Sequence, residues 1–336
     1  DLRALFETQN RFTLPISATG SAGMETCLVN LIEPGDRVVV GIHGIFGERM
    51  KDLALRQGGE VAEVRSDYGA PLQAERMIEA IRGGDTKLCA FVHAETSTGV
   101  LQPVEDIASA AREAGALLVL DCVTSLGGAR VAVDAWQVDA AYSGTQKCLS
   151  VPPGLAPVSF SAAALRRSAE RRSRPGSWYL DLKLLGAYWG GERVYHHTAP
   201  ISAIYGLARG LDEVLEEGVE QRIERHWTVA RALYRGLEVL GLDCLVPEKL
   251  RTPMLTSVCV PDGVDAVAVQ KHLRKAHLIE IGGGLGPLAG RIWRIGLMGH
   301  GARVSSVVRV LAALGDALSL AGRSVDVPAA LRASGA

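Results

Sequence analysis

The chain has 336 residues, of which 48% are hydrophobic, and its formal net charge at pH 7 is −1. This length and composition can build a large core and predict one large and one smaller domain. The charge leaves no basic excess for nucleic acid or an anionic membrane, and no apolar run approaches the roughly 20 residues that span a bilayer. We expect a cytoplasmic protein.

Short apolar runs alternate with helical patterns over the first half of the chain. Runs that suit strands covered on both faces lie at 38–40, 90–93, 117–120, 140–142 and 157–160. Helical spacing or composition covers 22–31, 46–57, 74–81 and 104–114. This alternation predicts an α/β domain with a mostly parallel, doubly wound sheet.

The second half of the chain begins with two longer helical patterns, at 207–226 and 229–240. The second of them leads into a stretch of mixed helical and strand-like composition. We therefore predict a large α/β domain over residues 1–235 and a small α+β domain over residues 236–336.

A carboxylate and an amine follow neighbouring predicted strands. The run 117–120 ends in Asp121, and the small-residue segment 143–146 after the next strand ends in Lys147. Because parallel strands end at the same edge of a sheet, both side chains are expected there. Taken singly, such an aspartate is often a helix cap and such a lysine a surface charge. The apolar and small residues around Lys147 favour instead a pyridoxal phosphate site, where a lysine forms a Schiff base and an acid keeps the ring nitrogen protonated.

A phosphate site is predicted near the start of the chain. Residues 17–23, Ser-Ala-Thr-Gly-Ser-Ala-Gly, precede a helical pattern. Their backbone N–H groups and hydroxyls could meet an anion at the positive end of the helix dipole. Without other information, such a loop is more often an ordinary helix cap than a phosphate site.

These features resemble the class V, fold-type I aminotransferases, in particular the alanine–glyoxylate and serine–pyruvate aminotransferases. The resemblance runs in family order from near the first residue to about residue 320. It rests on residues 34–36, 44–47, 95–100, 121–128, 143–147, 152–154, 159–161, 178–181, 195–198, 282–287 and 294–296. It implies a ping-pong transfer of the amino group from alanine or serine to glyoxylate or pyruvate. It also implies a homodimer with shared active sites, and an N-terminal arm that we expect to be absent from this chain.

The resemblance implies a role for each candidate residue. Lys147 and Asp121 are expected to be catalytic and to bind the cofactor. The cofactor is further expected to contact Thr19, Gly20, Ser21 and Gln146 at its phosphate, Phe46 at its ring face, Thr96 near its phenolic oxygen, and Tyr195 and Thr198 of the neighbouring subunit. Arg294 is expected to bind the substrate carboxylate, and its apolar strand-like surroundings require either a ligand or an internal carboxylate nearby.

Several alternatives remain open at this point. Phe46 could be a core residue and Thr96 a turn residue. The adjacent histidines 196 and 197 lack further ligands at suitable spacing, so no metal site is expected. A cysteine desulfurase-like lyase would carry histidine where Gln146 stands. An aminoethylphosphonate or pyridoxamine transaminase also fits the fold, whereas a non-enzymatic relative would not need Asp121, Lys147 and Arg294 together.

Overall fold

The computed structural model describes residues 1–335, which form a large seven-stranded sheet, a three-stranded sheet, a two-stranded sheet and the helices around them. The strands are β1 Phe12–Ile16, β2 Arg37–Ile42, β3 Glu60–Arg65, β4 Thr86–Val92, β5 Ala94–Glu95, β6 Val100–Leu101, β7 Leu117–Asp121, β8 Ala140–Tyr142, β9 Ala156–Phe160, β10 Leu255–Cys259, β11 Gly282–Gly283 and β12 Ile292–Gly296. The α-helices are α1 Leu2–Leu5, α2 Gly20–Leu31, α3 Ile45–Arg56, α4 Ala74–Arg82, α5 Glu105–Glu113, α6 Ala162–Ala169, α7 Leu182–Trp189, α8 Ile201–Glu217, α9 Val219–Val239, α10 Ala266–His277, α11 Val304–Leu320 and α12 Val327–Ala333.

The large sheet is mostly parallel, in the strand order β1-β9-β8-β7-β4-β2-β3. The neighbours from β8 to β3 pair in parallel. Strand β9 is antiparallel to β8 and to β1, so β1 again runs with the parallel strands. Six of these strands, β1, β2, β3, β4, β7 and β8, therefore end at one edge, where the segments that follow them lie.

Both faces of the large sheet are covered, because successive strand residues point to opposite sides. In β7, Leu118 and Leu120 join one hydrophobic cluster with α4 and α5, whereas Val119 joins the cluster on the other face with α2 and α3. This burial explains why the strands are continuous apolar runs in the sequence. The predicted doubly wound α/β fold is confirmed.

The second sheet is antiparallel, in the order β10-β12-β11. Trp293 of β12 is fully buried and packs in a separate hydrophobic cluster with side chains of α9, α10 and α11. This part of the chain thus has a core of its own. Helix α9 runs across the predicted boundary at residue 235, and the exact division into domains stays a prediction.

The strands and helices predicted over residues 22–160 are all present, but one later prediction is wrong. The pattern 207–226 is not one helix, since α8 ends at Glu217 and α9 begins at Val219. Gly218 lies between them with φ 86°, a left-handed conformation that glycine adopts without steric cost and that interrupts a right-handed helix. None of the helices among residues 1–335 combines the length and apolar composition that crossing a membrane requires.

Candidate active site

A cavity of about 160 Å³ opens where the parallel strands end. It brings together eight of the residues predicted from the sequence, namely Thr19, Gly20, Ser21, Phe46, Thr96, Asp121, Gln146 and Lys147. They come from the starts of α2 and α3, from the last residue of β7 and from the segments after β5 and β8. The topology of the sheet therefore assembles residues that are far apart in the sequence.

Asp121 forms the buried acidic wall of this cavity. Its Oδ1 accepts a hydrogen bond from the backbone N–H of Val123 at 2.8 Å, and its Oδ2 accepts one from the hydroxyl of Tyr142 at 2.7 Å. Burial raises the pKa of Asp121 to about 6, although both donors oppose this shift. The carboxylate is thus anionic at neutral pH while standing in a poorly solvated position.

Lys147 carries the amine of the cavity. Its side chain is largely buried, and its Nζ has no hydrogen-bond or salt-bridge partner among residues 1–335. Burial lowers the pKa of Lys147, and the charge of Arg294 lowers it further. A larger fraction of the amine is therefore neutral and nucleophilic than at an exposed lysine.

The N-terminus of α2 lines the cavity near Asp121. The helix begins at Gly20 after the N-cap Thr19, so Gly20 and Ser21 lie in its first turn. A side chain at Gly20 would come within 3.1 Å of Val123, so the glycine allows this turn to approach the end of β7. Unpaired N–H groups at a helix start are suited to an anion such as phosphate.

Phe46 is positioned by a buried carboxylate that the sequence analysis did not single out. Glu95 accepts hydrogen bonds from the backbone N–H of Phe46 at 3.1 Å and from the N–H and hydroxyl of Ser97 at 2.9 and 2.6 Å. The Ser97 hydroxyl accepts one from the N–H of Ile45 at 2.9 Å. These contacts cap α3, and a side chain at Gly44 would collide with Glu95 at 2.3 Å. The ring of Phe46 thus faces the cavity from a fixed helix start.

Arg294 of β12 lies beside the cavity and is half-buried. Its Nε donates to the carbonyl of Gly283 at 2.7 Å and its Nη1 to the carbonyl of Thr96 at 2.9 Å. Burial lowers its pKa, which the charge of Glu95 opposes. Within the described part of the chain no carboxylate forms a salt bridge with it. The internal partner that the sequence analysis left open is therefore not found, which favours a ligand.

Tyr195 and Thr198 lie outside the cavity. The hydroxyl of Tyr195 is 3.2 Å from that of Thr198, and 76% of Tyr195 is exposed. The Nδ1 atoms of His196 and His197 share a hydrogen bond of 2.8 Å. The Nε2 of His197 also forms a hydrogen bond of 2.7 Å with the hydroxyl of Ser17. These contacts account for the histidine pair without a metal.

A separate histidine cluster lies far along the chain. Within residues 1–335, His272, His277 and Asp316 are the group whose ligand atoms could reach one ion. Both imidazole Nε2 atoms are hydrogen-bonded to the same Asp316 oxygen, at 2.7 and 2.8 Å. These two hydrogen bonds are sufficient to hold the three side chains together.

Arg49 is a further residue that sequence reasoning missed. Its guanidinium lies 5.1 Å from the centre of the Phe46 ring, and its Nη1 donates to the Ser21 hydroxyl at 3.2 Å. It lines the cavity, where the other basic side chain is Lys147. The three-residue spacing from Phe46 on a helix was a signal that could have found it.

Comparison with known proteins identifies the family. Residues 1–307 match the model of the family described as aminotransferase class-V. The chain belongs to this family. An (S)-ureidoglycine–glyoxylate transaminase of Bacillus subtilis (strain 168) is 39% identical, over 99% of this chain and 84% of that relative. An alanine–glyoxylate aminotransferase of Drosophila melanogaster is 38% identical, over 94% of this chain and 82% of that relative.

A solved structure agrees with this assignment. The crystal structure of an alanine–glyoxylate aminotransferase from Nostoc sp. is 45% identical and covers 94% of this chain and 84% of its own, with a TM-score of 0.93. The protein is thus a pyridoxal-phosphate-dependent aminotransferase of fold type I, which confirms the predicted family, activity and cofactor. The cavity fits this cofactor, because it offers an unpartnered amine, a buried carboxylate and a helix N-terminus together.

Proposed function

We propose that the protein transfers the amino group of alanine or serine to glyoxylate or pyruvate, by a ping-pong reaction in a homodimer. The observation that carries this proposal is the unpartnered amine of Lys147 in a cavity that also contains Asp121, with Arg294 beside it and free of carboxylate partners. The small substrates are suggested by relatives named alanine–glyoxylate aminotransferase.

The proposed mechanism assigns a task to each side chain. When bound, pyridoxal phosphate supplies a carbonyl that takes up the amino group and a ring that withdraws electrons from the substrate α-carbon. Lys147 would hold the cofactor, and its Nζ, when free, would take the proton from the substrate α-carbon and deliver it to the cofactor carbon that receives the amino nitrogen. The lowered pKa of Lys147 increases the fraction of neutral amine available for this step.

The other residues bind and orient. The anionic Asp121 keeps a proton on the ring nitrogen, and the first turn of α2 with Gln146 binds the phosphate. Phe46 packs against the ring face, and Thr96 contacts the region of the phenolic oxygen. Arg294 has its Nη2 free of intramolecular hydrogen bonds within the described residues, so its guanidinium can hold the substrate carboxylate and fix the α-carbon near Lys147.

A donor panel tests this function. The purified holoenzyme is mixed with L-alanine or L-serine, and its visible cofactor absorption is followed before and after glyoxylate or pyruvate is added. We expect the absorption to bleach with the donor and to return with the acceptor. Lys147→Ala is expected to lose this cycle, whereas Lys275→Ala, an exposed lysine of α10, keeps it. A wild-type spectrum that no amino acid changes would contradict the proposal.

Ureidoglycine is a second candidate donor, because the relative that is similar over 99% of this chain is named (S)-ureidoglycine–glyoxylate transaminase. Both candidates share glyoxylate as acceptor. The ratio of kcat/KM for ureidoglycine and alanine distinguishes them, and including pyridoxamine and aminoethylphosphonate in the panel tests the remaining alternatives. If this ratio is above one, ureidoglycine replaces alanine as the proposed donor.

The proposed dimer rests on Tyr195 and Thr198. They are exposed and do not line the cavity of their own chain, so a role at the cofactor phosphate requires a second copy. Large apolar side chains around them are also exposed, namely Trp178, Val194, Ile201 and Tyr205. Such a patch is suited to an interface between subunits.

A hybrid dimer tests this sharing. One subunit carries Lys147→Ala and the other carries Tyr195→Ala with Thr198→Ala. If the two residues act across the interface, the second subunit keeps its own Lys147 and receives intact Tyr195 and Thr198 from its partner, so about half of the wild-type activity is retained. If they act within their own chain, both sites are defective and the hybrid is no more active than its parents.

A further inference from the structure

Tyr142 is the buried neighbour of Asp121. It is fully buried at the end of β8, and the parallel pairing of β7 with β8 sets it directly opposite Asp121. Its hydroxyl donates to Oδ2 of Asp121 at 2.7 Å, while Oδ1 is occupied by the N–H of Val123. Both residues line the cavity, so this hydrogen bond lies next to the proposed position of the cofactor ring.

The groups that face Asp121 differ in their effect on its charge. Cys27 of α2 and the adjacent Cys122 have pKa values raised far above the usual range by burial, so both thiols are neutral. The carboxyl group of Glu95 raises the pKa of Asp121, and the ammonium of Lys147 lowers it. The ammonium charge is not a constant, because Lys147 is the residue that reacts.

The hydroxyl of Tyr142, in contrast, is a constant donor. Burial and the charge of Asp121 raise the pKa of Tyr142 well above 10, so it does not lose its proton in the physiological range. A hydrogen bond to the ionised form of a carboxylate favours that form. The phenol therefore opposes the burial that raises the pKa of Asp121 to about 6.

We propose that Tyr142 is a positioning residue for the cofactor, which holds Asp121 oriented and ionised so that the carboxylate pairs with the protonated ring nitrogen. This inference rests on the proposed role of Asp121. The hydroxyl does not touch the reacting atoms; it acts through the carboxylate. Removing it weakens the affinity of the apoprotein for pyridoxal phosphate and shifts the pH at which this affinity is lost.

The variant Tyr142→Phe tests the proposal. It keeps the ring, which packs against Gly23, and removes only the hydroxyl. Binding of pyridoxal phosphate to the apoprotein is measured by equilibrium dialysis between pH 5 and 8. We expect an affinity roughly ten- to a hundredfold lower near neutral pH, the usual effect of one hydrogen bond to a charged group. The acid-side midpoint of binding is expected to move to higher pH, which a loss of packing alone would not cause.

Two further variants make the result specific. Tyr234→Phe removes the hydroxyl of another buried tyrosine, in α9, and is expected to bind the cofactor as the wild type does. In the Asp121→Asn background, Tyr142→Phe is expected to change the affinity by less than about twofold, because the two residues act as one unit.

The possible failures are distinguishable. If Asp121→Asn weakens cofactor binding but Tyr142→Phe leaves both the affinity and the midpoint unchanged, the inference about Tyr142 is wrong and the proposed function stands. If Asp121→Asn itself binds the cofactor as tightly as the wild type, the assigned role of Asp121 is wrong, and the inference about Tyr142 with it.

Discussion

A strand of the large sheet and a strand of the small sheet each carry a charged side chain in the active-site region, and the two side chains are held differently. Asp121, from the large sheet, is buried, and each of its oxygens already accepts a hydrogen bond from the protein. Arg294, from the small sheet, is half-buried and donates only to two backbone carbonyls. The first arrangement suits a group that stays bound through every turnover. The second suits a ligand that enters and leaves.

The comparison predicts the largest effect for Asp121→Asn. Removing one partner of a buried charge pair costs about 3–5 kcal/mol, so the affinity for pyridoxal phosphate should fall by about 10²- to 10⁴-fold, and kcat should fall as well. Equilibrium dialysis of the apoprotein and steady-state kinetics measure the two quantities. Asp139→Asn, a carboxylate at the other end of β8, is the matched control and should keep the cofactor affinity. Equal behaviour of the two variants would contradict the account.

Arg294→Lys should separate substrate binding from cofactor binding. Lysine keeps the charge but loses the planar fork, so we expect KM for the amino donor to rise by about ten- to a hundredfold. The cofactor affinity should stay within about twofold of wild type. The control is Arg291→Lys, because Arg291 is exposed and lies directly before β12. A loss of cofactor affinity in Arg294→Lys would show that the two charged groups are not functionally distinct.

The two groups should also respond differently to pH. Because the pKa of Asp121 is raised to about 6, lowering the pH through 6 protonates the carboxylate and removes its charge. The ratio of wild-type to Asp121→Asn cofactor affinity should therefore fall by up to tenfold per pH unit below 6. Arg294 stays charged throughout this range. A ratio that is constant from pH 5 to 8 would mean that Asp121 is already ionised at pH 5 or makes no charge pair.

The smallest expected effect concerns the support of Phe46. Gly44→Ala would place a methyl group 2.3 Å from the side chain of Glu95 and disturb the cap of α3. We expect a loss of about 1–3 kcal/mol in the free energy of unfolding and a cofactor affinity lower by a few fold. Chemical denaturation and dialysis measure these changes. Gly301→Ala, where an added methyl group meets no atom within 4 Å, should change neither.

Local patterns predicted the large-sheet half of the site. Asp121 and Lys147 follow adjacent parallel strands, so the strand pattern alone placed them at one edge of the sheet. The approach of Arg294 to Thr96 could not be predicted in this way, because the two residues are 198 positions apart and Thr96 lies in a turn outside the sheet that contains Arg294. No local pattern indicates that Glu95 caps α3, because this contact depends on how β5 meets the start of the helix.

The helix break at Gly218 was missed for a different reason. Helix-forming residues flank this glycine on both sides, and a single glycine is tolerated in many helices. Its positive φ is a backbone conformation that the local pattern of residues does not specify. The roles proposed for Tyr195 and Thr198 likewise require a second copy of the chain, which a local pattern does not contain.

The most direct test of the central claim is to identify the residue that holds the cofactor. The holoenzyme is reduced with borohydride, which makes the bond between lysine and cofactor permanent, then digested and analysed by mass spectrometry. The account predicts that the added pyridoxyl mass lies on the peptide that contains Lys147. Finding it on any of the other six lysines, or finding no modified peptide in a protein that has bound the cofactor, would contradict the account.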